Sequence, residues 1–219
     1  MGVKLVARAC TVVSALLGIL APARCAACDG LEPELSGYCA ECGKPEPLLD
    51  VALHIAGVPV FAGTRYAEPV VSAIHRFKYG NAPELSRTLA SPSARAIDLL
   101  GIEAGDVWVP VPLHPLRLAE RGYNQAALLA RELSRLAPGP VDVRRLRRLR
   151  HTEQQAKRDR RGRAENIVQA FAARPRTRRQ RVVLVDDVVT TGATLGACIE
   201  ALRTAGDRVV GCVAAACVG

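Results

Sequence analysis

Apolar positions divide the chain into short β-like runs and longer helical stretches. Val70, Ile74 and Phe77 recur at helical spacing within residues 65–90 and predict a helix with one apolar face. Gly80 and Asn81 end it, and Pro83 can open the next helix at its first turn. Residues 106–114, DVWVPVPLH, predict a strand stopped by Pro110 and Pro112. Leu116 to Leu136 predicts one helix, its periodicity carried by RGYNQAALLARELSRL. Residues 141–149 are strand-like, a polar and basic stretch follows, and IVQAF reads as another strand. Val182 to Val185, with three valines, predicts a short buried strand. LGACIEALRT then repeats apolar residues at helical spacing and stops at Gly206. DRVVGCVAAACV is the last strand. This alternation predicts an α/β fold, a mostly parallel sheet flanked by helices, with ligand at the carboxyl ends of the strands.

The first sixty residues read differently. Leu5, Val12, Leu16, Ile19 and Leu20 share a helical face, so residues 1–24 are read as an amphipathic helix. A signal peptide is the competing reading: Lys4 and Arg8 precede an apolar run, and Ala21-Pro22-Ala23 resembles a cleavage site. The run is too short to span a bilayer comfortably, so no membrane span is expected. The helix reading is preferred because everything downstream suits the cytosol, and a cytoplasmic location is expected. Residues 25–60 form a cysteine-rich segment and a linker with Pro45, Pro47 and Pro59, and residues 61–219 form the main domain. His54 and His75 are read as structural.

Charge and cysteines sharpen the picture. The net charge of the 219 residues is +9. Residues 144–181 hold fifteen Lys and Arg against three acids, so the rest of the chain is slightly acidic. Local basicity points to an anionic ligand or nucleic acid near one segment and argues against a wholly basic surface. Of eight cysteines, Cys25, Cys28, Cys39 and Cys42 form two CxxC pairs ten residues apart. Such pairs suit a tetrahedral Zn²⁺ with no open position, a structural role. Two disulfides are the alternative and would require the secreted reading. Cys10, Cys198, Cys212 and Cys217 lie among apolar residues and read as small buried hydrophobes.

The chemistry concentrates between Val182 and Thr194, VVLVDDVVTTGAT. A strand runs into Asp186 and Asp187, then Thr190, Thr191, Gly192, Ala193 and Thr194 open a helix. Backbone N–H groups and hydroxyls at a helix N-terminus favour an anion, and Gly192 allows close backbone approach. Two carboxylates beside an anion site suit hydroxyls next to a phosphate, as in ribose 5-phosphate.

That segment resembles the phosphoribosyl diphosphate (PRPP) motif of the type I phosphoribosyltransferases. In chain order, CxxC…CxxC, FKYGN, VPVPLH, RGYNQ, RHTEQQ…R…N…AF and VLVDDVVTTGAT resemble the ComF family, which includes the GntX proteins and is tied to DNA uptake in competence. The resemblance runs from about Cys25 onward and implies a type I phosphoribosyltransferase-like fold with a small N-terminal zinc ribbon. It implies that Asp186 and Asp187 hold the ribose 2′- and 3′-hydroxyls and form the catalytic set. It implies that Thr190, Thr191, Gly192, Ala193 and Thr194 wrap the 5-phosphate, and that Mg²⁺ arrives with PRPP. Lys78 would face the site, and Arg117 and Arg121 would lie where the diphosphate is held. RHTEQQAKRDRRGRAEN would be a mobile hood; eight Lys and Arg fall between Arg147 and Arg163. Two departures stand out: Arg158 replaces an expected leucine, and Tyr123 replaces the commoner Phe.

The implied reaction is displacement of diphosphate from C1 of the ribose, catalysed by positioning and electrostatics. No general base and no purine or pyrimidine pocket stands out. Two functions therefore stay open. One is a phosphoribosyltransferase with an unknown acceptor, linked to DNA uptake. The other is a non-catalytic PRPP-binding or DNA-associated accessory protein, with single-stranded DNA or DNA-uptake proteins as partners.

Overall fold

The computed structural model describes residues 24–31, 37–48, 50–149, 170–176 and 178–218. Residues 1–23 of the expected N-terminal helix and the expected hood over 150–166 lie outside the described residues. The chain enters as β1 (Leu53–Ile55) and β2 (Val58–Arg65), then α1 (Val70–Tyr79) and α2 (Leu85–Ala90). A 3₁₀ turn, Ser91–Arg95, leads into α3 (Ala96–Leu99). Next come β3 (Val107–Pro110), α4 (Pro115–Arg121) and α5 (Gln125–Leu133). β4 (Leu146–Arg148) and β5 (Phe171–Ala173) pair as a separate two-stranded ribbon. β6 (Arg181–Val189), α6 (Ala193–Thr204) and β7 (Arg208–Cys217) complete the fold.

The main sheet has the order β1-β2-β7-β6-β3. The β2–β7, β7–β6 and β6–β3 pairs are parallel, and β1 alone is antiparallel, to β2. Parallel strands buried on both faces need continuous apolar runs, which β6 and β7 supply. Alternation assigns their side chains to two layers. Val183 and Val185 pack with Ile74, Phe77, Leu129 and Leu133 on one face. Val182 and Leu184 pack with Leu195, Cys198, Ile199 and Leu202 of α6 on the other. An ion pair is sealed into this architecture: Arg145 Nε donates to Asp207 Oδ2 at 2.6 Å, with both side chains buried.

Three features depart from the sequence reading. The linker region carries β1 and the start of β2, joined through Ala56 and Gly57, both at positive φ. Pro59 is tolerated because the parallel ladder with β7 begins only at Val60. The single helix expected from Leu116 to Leu136 is two helices. Gly122 adopts a left-handed φ of 76° at the end of α4, and the Asn124 side chain then caps α5 by accepting from Ala126 N at 3.0 Å. Finally, β6 does not stop at Val185. Its neighbour β7 is ten residues long, so pairing continues through Asp186 opposite Ala214 and Val188 opposite Ala216.

Candidate functional site

The carboxyl end of β6 turns through Thr190, Thr191 and Gly192 into α6. Gly192 is the N-cap, with φ of 74°. A Cβ there would lie 2.4 Å from Ile55 Cδ1, so the glycine answers both a backbone and a space requirement. Ile55 belongs to the β1 hairpin, which therefore forms one wall of the loop. Thr190 and Thr191 are exposed and Thr194 is half-buried. Thr191 Oγ1 accepts from Ala193 N at 3.4 Å. Gly192, the N-cap, has no side chain to cap the helix, which leaves the first-turn N–H groups beyond Ala193 suited to an anion.

The acidic pair lies in the strand, so its two side chains leave on opposite faces. Asp187 follows Val183 and Val185 toward α1 and meets Lys78 Nζ at 3.0 Å. Asp186 follows Val182 and Leu184 toward the α6 face. Burial, then the charge of Asp187, pushes the Asp186 carboxyl up to about 7; the Asp187 N–H, Lys78 and Arg148 pull the other way. The Asp187 N–H donates to Asp186 Oδ1 at 2.9 Å. Arg148, at the end of β4, also stacks 5.5 Å from the Phe171 ring centroid.

Lys78 connects the strand to a cleft of about 400 Å³ lined by Lys78, Tyr79, Asn81, Arg117, Arg121 and their neighbours. The structure thus gathers Lys78, Arg117 and Arg121 in one cleft. The Thr190–Thr194 loop is not part of that lining, and the Lys78–Asp187 pair bridges the two. Larger hollows, about 710 and 680 Å³, open beside β5 and around residues 175–180, and the acidic pair lines neither.

The cleft is held by contacts that sequence reasoning did not foresee. Tyr123 Oη donates to the Phe77 carbonyl at 2.6 Å, and Gln125 Nε2 donates to the same oxygen at 3.3 Å. Arg121 donates to Gln125 Oε1 and to the Tyr79 hydroxyl, each at 3.2 Å, and its guanidinium lies 4.9 Å from the Tyr79 ring centroid. Asn124 Nδ2 donates to the Val111 carbonyl at 3.0 Å, while Val111 N donates to Val185 O at 2.8 Å. RGYNQ is therefore a clasp binding the end of α1 to the turn after β3. Its signal was the cluster of polar residues at a helix start, next to a glycine.

The four cysteines converge. The Sγ atoms of Cys25, Cys28, Cys39 and Cys42 all lie within 4.8 Å of one another, and Cys28 and Cys39 are 3.8 Å apart. No disulfide forms among the described residues. The two CxxC turns match: Asp29 N donates to Cys25 O and Gly43 N to Cys39 O, each at 3.0 Å, with positive φ at Asp29 and Gly43. Cys39 N also donates to Cys25 Sγ at 3.3 Å. Burial opposes ionisation of Cys25, but hydrogen bonds from the Cys28, Cys39 and Ala27 backbone, with the Cys28 thiol, lower it to about 6. Cys42 moves oppositely, pushed up to about 12 by its thiol partners, Cys39 first. Arg76, on α1, donates to the Cys25 and Ala26 carbonyls at 2.7 and 2.9 Å and pairs with Asp29.

Comparison with known proteins agrees with this anatomy. Residues 118–218 match the family model for a phosphoribosyl transferase domain. Competence protein F of Haemophilus influenzae is 33% identical over 189 residues, covering 83% of this chain and 79% of that protein. DNA utilization protein YhgH of Escherichia coli is 34% identical over 149 residues, 66% of each chain. Competence protein ComFC of Bacillus subtilis is 27% identical over 183 residues, 78% of this chain and 74% of that one. With this level of identity over most of both chains, a phosphoribosyl transferase domain and the four-cysteine cluster, the protein belongs to the ComF family of phosphoribosyltransferase-like proteins.

Proposed function

We propose that this protein binds Mg²⁺-PRPP at the carboxyl end of β6 and transfers the phosphoribosyl group to an acceptor, in a process linked to DNA uptake. The observation that carries the reading is the Lys78–Asp187 contact at 3.0 Å, which joins an acidic strand end to a cationic cleft. The 5-phosphate would sit on the N–H groups and hydroxyls of Thr190 to Thr194, at the positive end of α6. Asp186 and Asp187 would accept hydrogen bonds from the ribose hydroxyls, and their hard oxygens suit the Mg²⁺ that travels with the substrate. Lys78, Arg117 and Arg121 would neutralise the diphosphate as it leaves C1. The clasp from Tyr123 and Gln125 to Phe77 O fixes the backbone beside Lys78, so the cation is placed before ligand arrives.

The cysteine cluster fits a structural zinc. A tetrahedron with bonds of about 2.3 Å needs sulfurs roughly 3.8 Å apart, and Cys28 and Cys39 are 3.8 Å apart. Cys25, Cys28, Cys39 and Cys42 would hold it, and all four would serve as ligands, which assigns the site to folding. In this reading the protein works in the cytoplasm, where PRPP is made and zinc-binding thiols stay reduced. Among the described residues no helix is long and apolar enough to cross a membrane.

A second reading has its own support. Arg144, Arg147, Arg174, Arg176, Arg178 and Arg179 are exposed on and beside the β4–β5 ribbon. Such a face suits single-stranded DNA held by its phosphates, in a protein that keeps PRPP binding and lacks transfer. Release of diphosphate from PRPP, followed across a panel of bases, amines and oligonucleotides, separates the two. Acceptor-dependent release supports transfer. PRPP binding without release under any acceptor supports the accessory role.

A further inference from the structure

The Lys78–Asp187 pair sets up a competition inside the ligand site. Its side chains are 20% and 14% exposed, so each charge depends on the other. Removing the partner of a largely buried charge is costly unless another partner arrives. Arg117 is already engaged by Glu120 at 3.2 Å, and Arg121 by Gln125 and Tyr79. The cations of the cleft are thus engaged by the protein's own groups.

Resting on the PRPP reading above, we infer that the Lys78–Asp187 pair is exchanged on ligand binding, and that this exchange selects intact PRPP over either of its halves. Intact PRPP offers both replacements together: ribose hydroxyls for Asp187 and diphosphate oxygens for Lys78. Ribose 5-phosphate can satisfy Asp187 but strands Lys78. Inorganic diphosphate can satisfy Lys78 but strands Asp187. Each half therefore meets a penalty that the whole ligand avoids. Either half, once bound, frees the partner that the other needs, so the two halves bind with positive coupling. By linkage the coupling is the same in both directions.

Calorimetric titration of the full chain with ribose 5-phosphate and with inorganic diphosphate tests this. In the wild type, saturating ribose 5-phosphate should tighten diphosphate binding by about tenfold, within the usual range for coupled sites. Lys78→Gln should tighten ribose 5-phosphate and weaken diphosphate. Asp187→Asn should do the reverse. Both variants should abolish the coupling, while Lys78→Arg, which keeps the charge, should retain it. Two results overturn the inference: no coupling in the wild type, or weakening of both ligands by both variants. The wild-type coupling needs no mutant to fold, so it decides the matter if a variant does not. If PRPP binds and no crossover appears, only the exchange falls. If PRPP itself does not bind, the proposed function falls with it.

Discussion

Gly192 shows how one residue can be demanded twice. Its φ of 74° and the 2.4 Å approach of Ile55 Cδ1 both exclude a side chain. Gly192→Ala should destabilise the fold by about 1–3 kcal/mol and weaken ribose 5-phosphate binding, as read by thermal melting and calorimetry. Ile55→Ala in the same chain should recover the steric part and leave the backbone part. Full recovery would mean the backbone requirement is absent. The TTG pattern made this glycine legible in the sequence; its partner Ile55 was not, because 137 positions separate them and Pro59 disguised the hairpin.

Asp186 gives a second residue-scale consequence. Its carboxyl stands near 7 against an ordinary 3.8, chiefly through burial. The folded chain therefore holds that proton more tightly than the unfolded chain. The resulting contribution to stability is complete below the ordinary value and is lost as pH rises through about 7. Binding moves oppositely, because an ionised carboxylate is the stronger acceptor for hydroxyls. Ribose 5-phosphate affinity should rise between pH 6 and 8, and Asp186→Asn should flatten that part of the profile. An unchanged slope in the variant would assign the titration to another group, the ligand phosphate included.

At the scale of elements, α1 is the junction of the molecule. Within four residues, Arg76 grips the first cysteine turn, Phe77 fills the core and offers its carbonyl to Tyr123 and Gln125, Lys78 reaches Asp187, and Tyr79 supports Arg121. The apolar face of this helix was readable from Val70, Ile74 and Phe77. The roles of its polar face were not, because each depends on an element distant in sequence. The same limit split the predicted 116–136 helix: Gly122 and Asn124 form a stop and a start that apolar periodicity passes over. For the cysteine turns we expect about one zinc per chain in protein purified without added metal. Chelation should lower the melting temperature and speed amide exchange in Cys25 to Gly30 and in the part of α1 around Arg76. Disulfides in place of metal, or exchange unaffected by chelation, would contradict this.

For the whole molecule, the alternating pattern from residue 106 onward announced a mostly parallel sheet, and the sheet is mostly parallel. The acidic pair was also legible, as was the threonine loop. What no local pattern could show is that β6 continues through the acidic pair, with Asp186 opposite Ala214 and Val188 opposite Ala216, so that Asp186 and Asp187 face opposite sides of the sheet. One meets the cleft through Lys78 and the other faces α6 and Arg148. The carboxylates and the threonine loop thus lie at the carboxyl end of one strand, and Lys78 joins them to the cleft between α1 and α4. We propose that this arrangement is a PRPP site. Calorimetry with Mg²⁺-PRPP on the wild type and on Asp186→Ala/Asp187→Ala measures it directly. A PRPP site should give saturable binding to the wild type and a loss of roughly 1.5–3 kcal/mol for each carboxylate removed. Equal affinity in both proteins, or no binding to either, would contradict it.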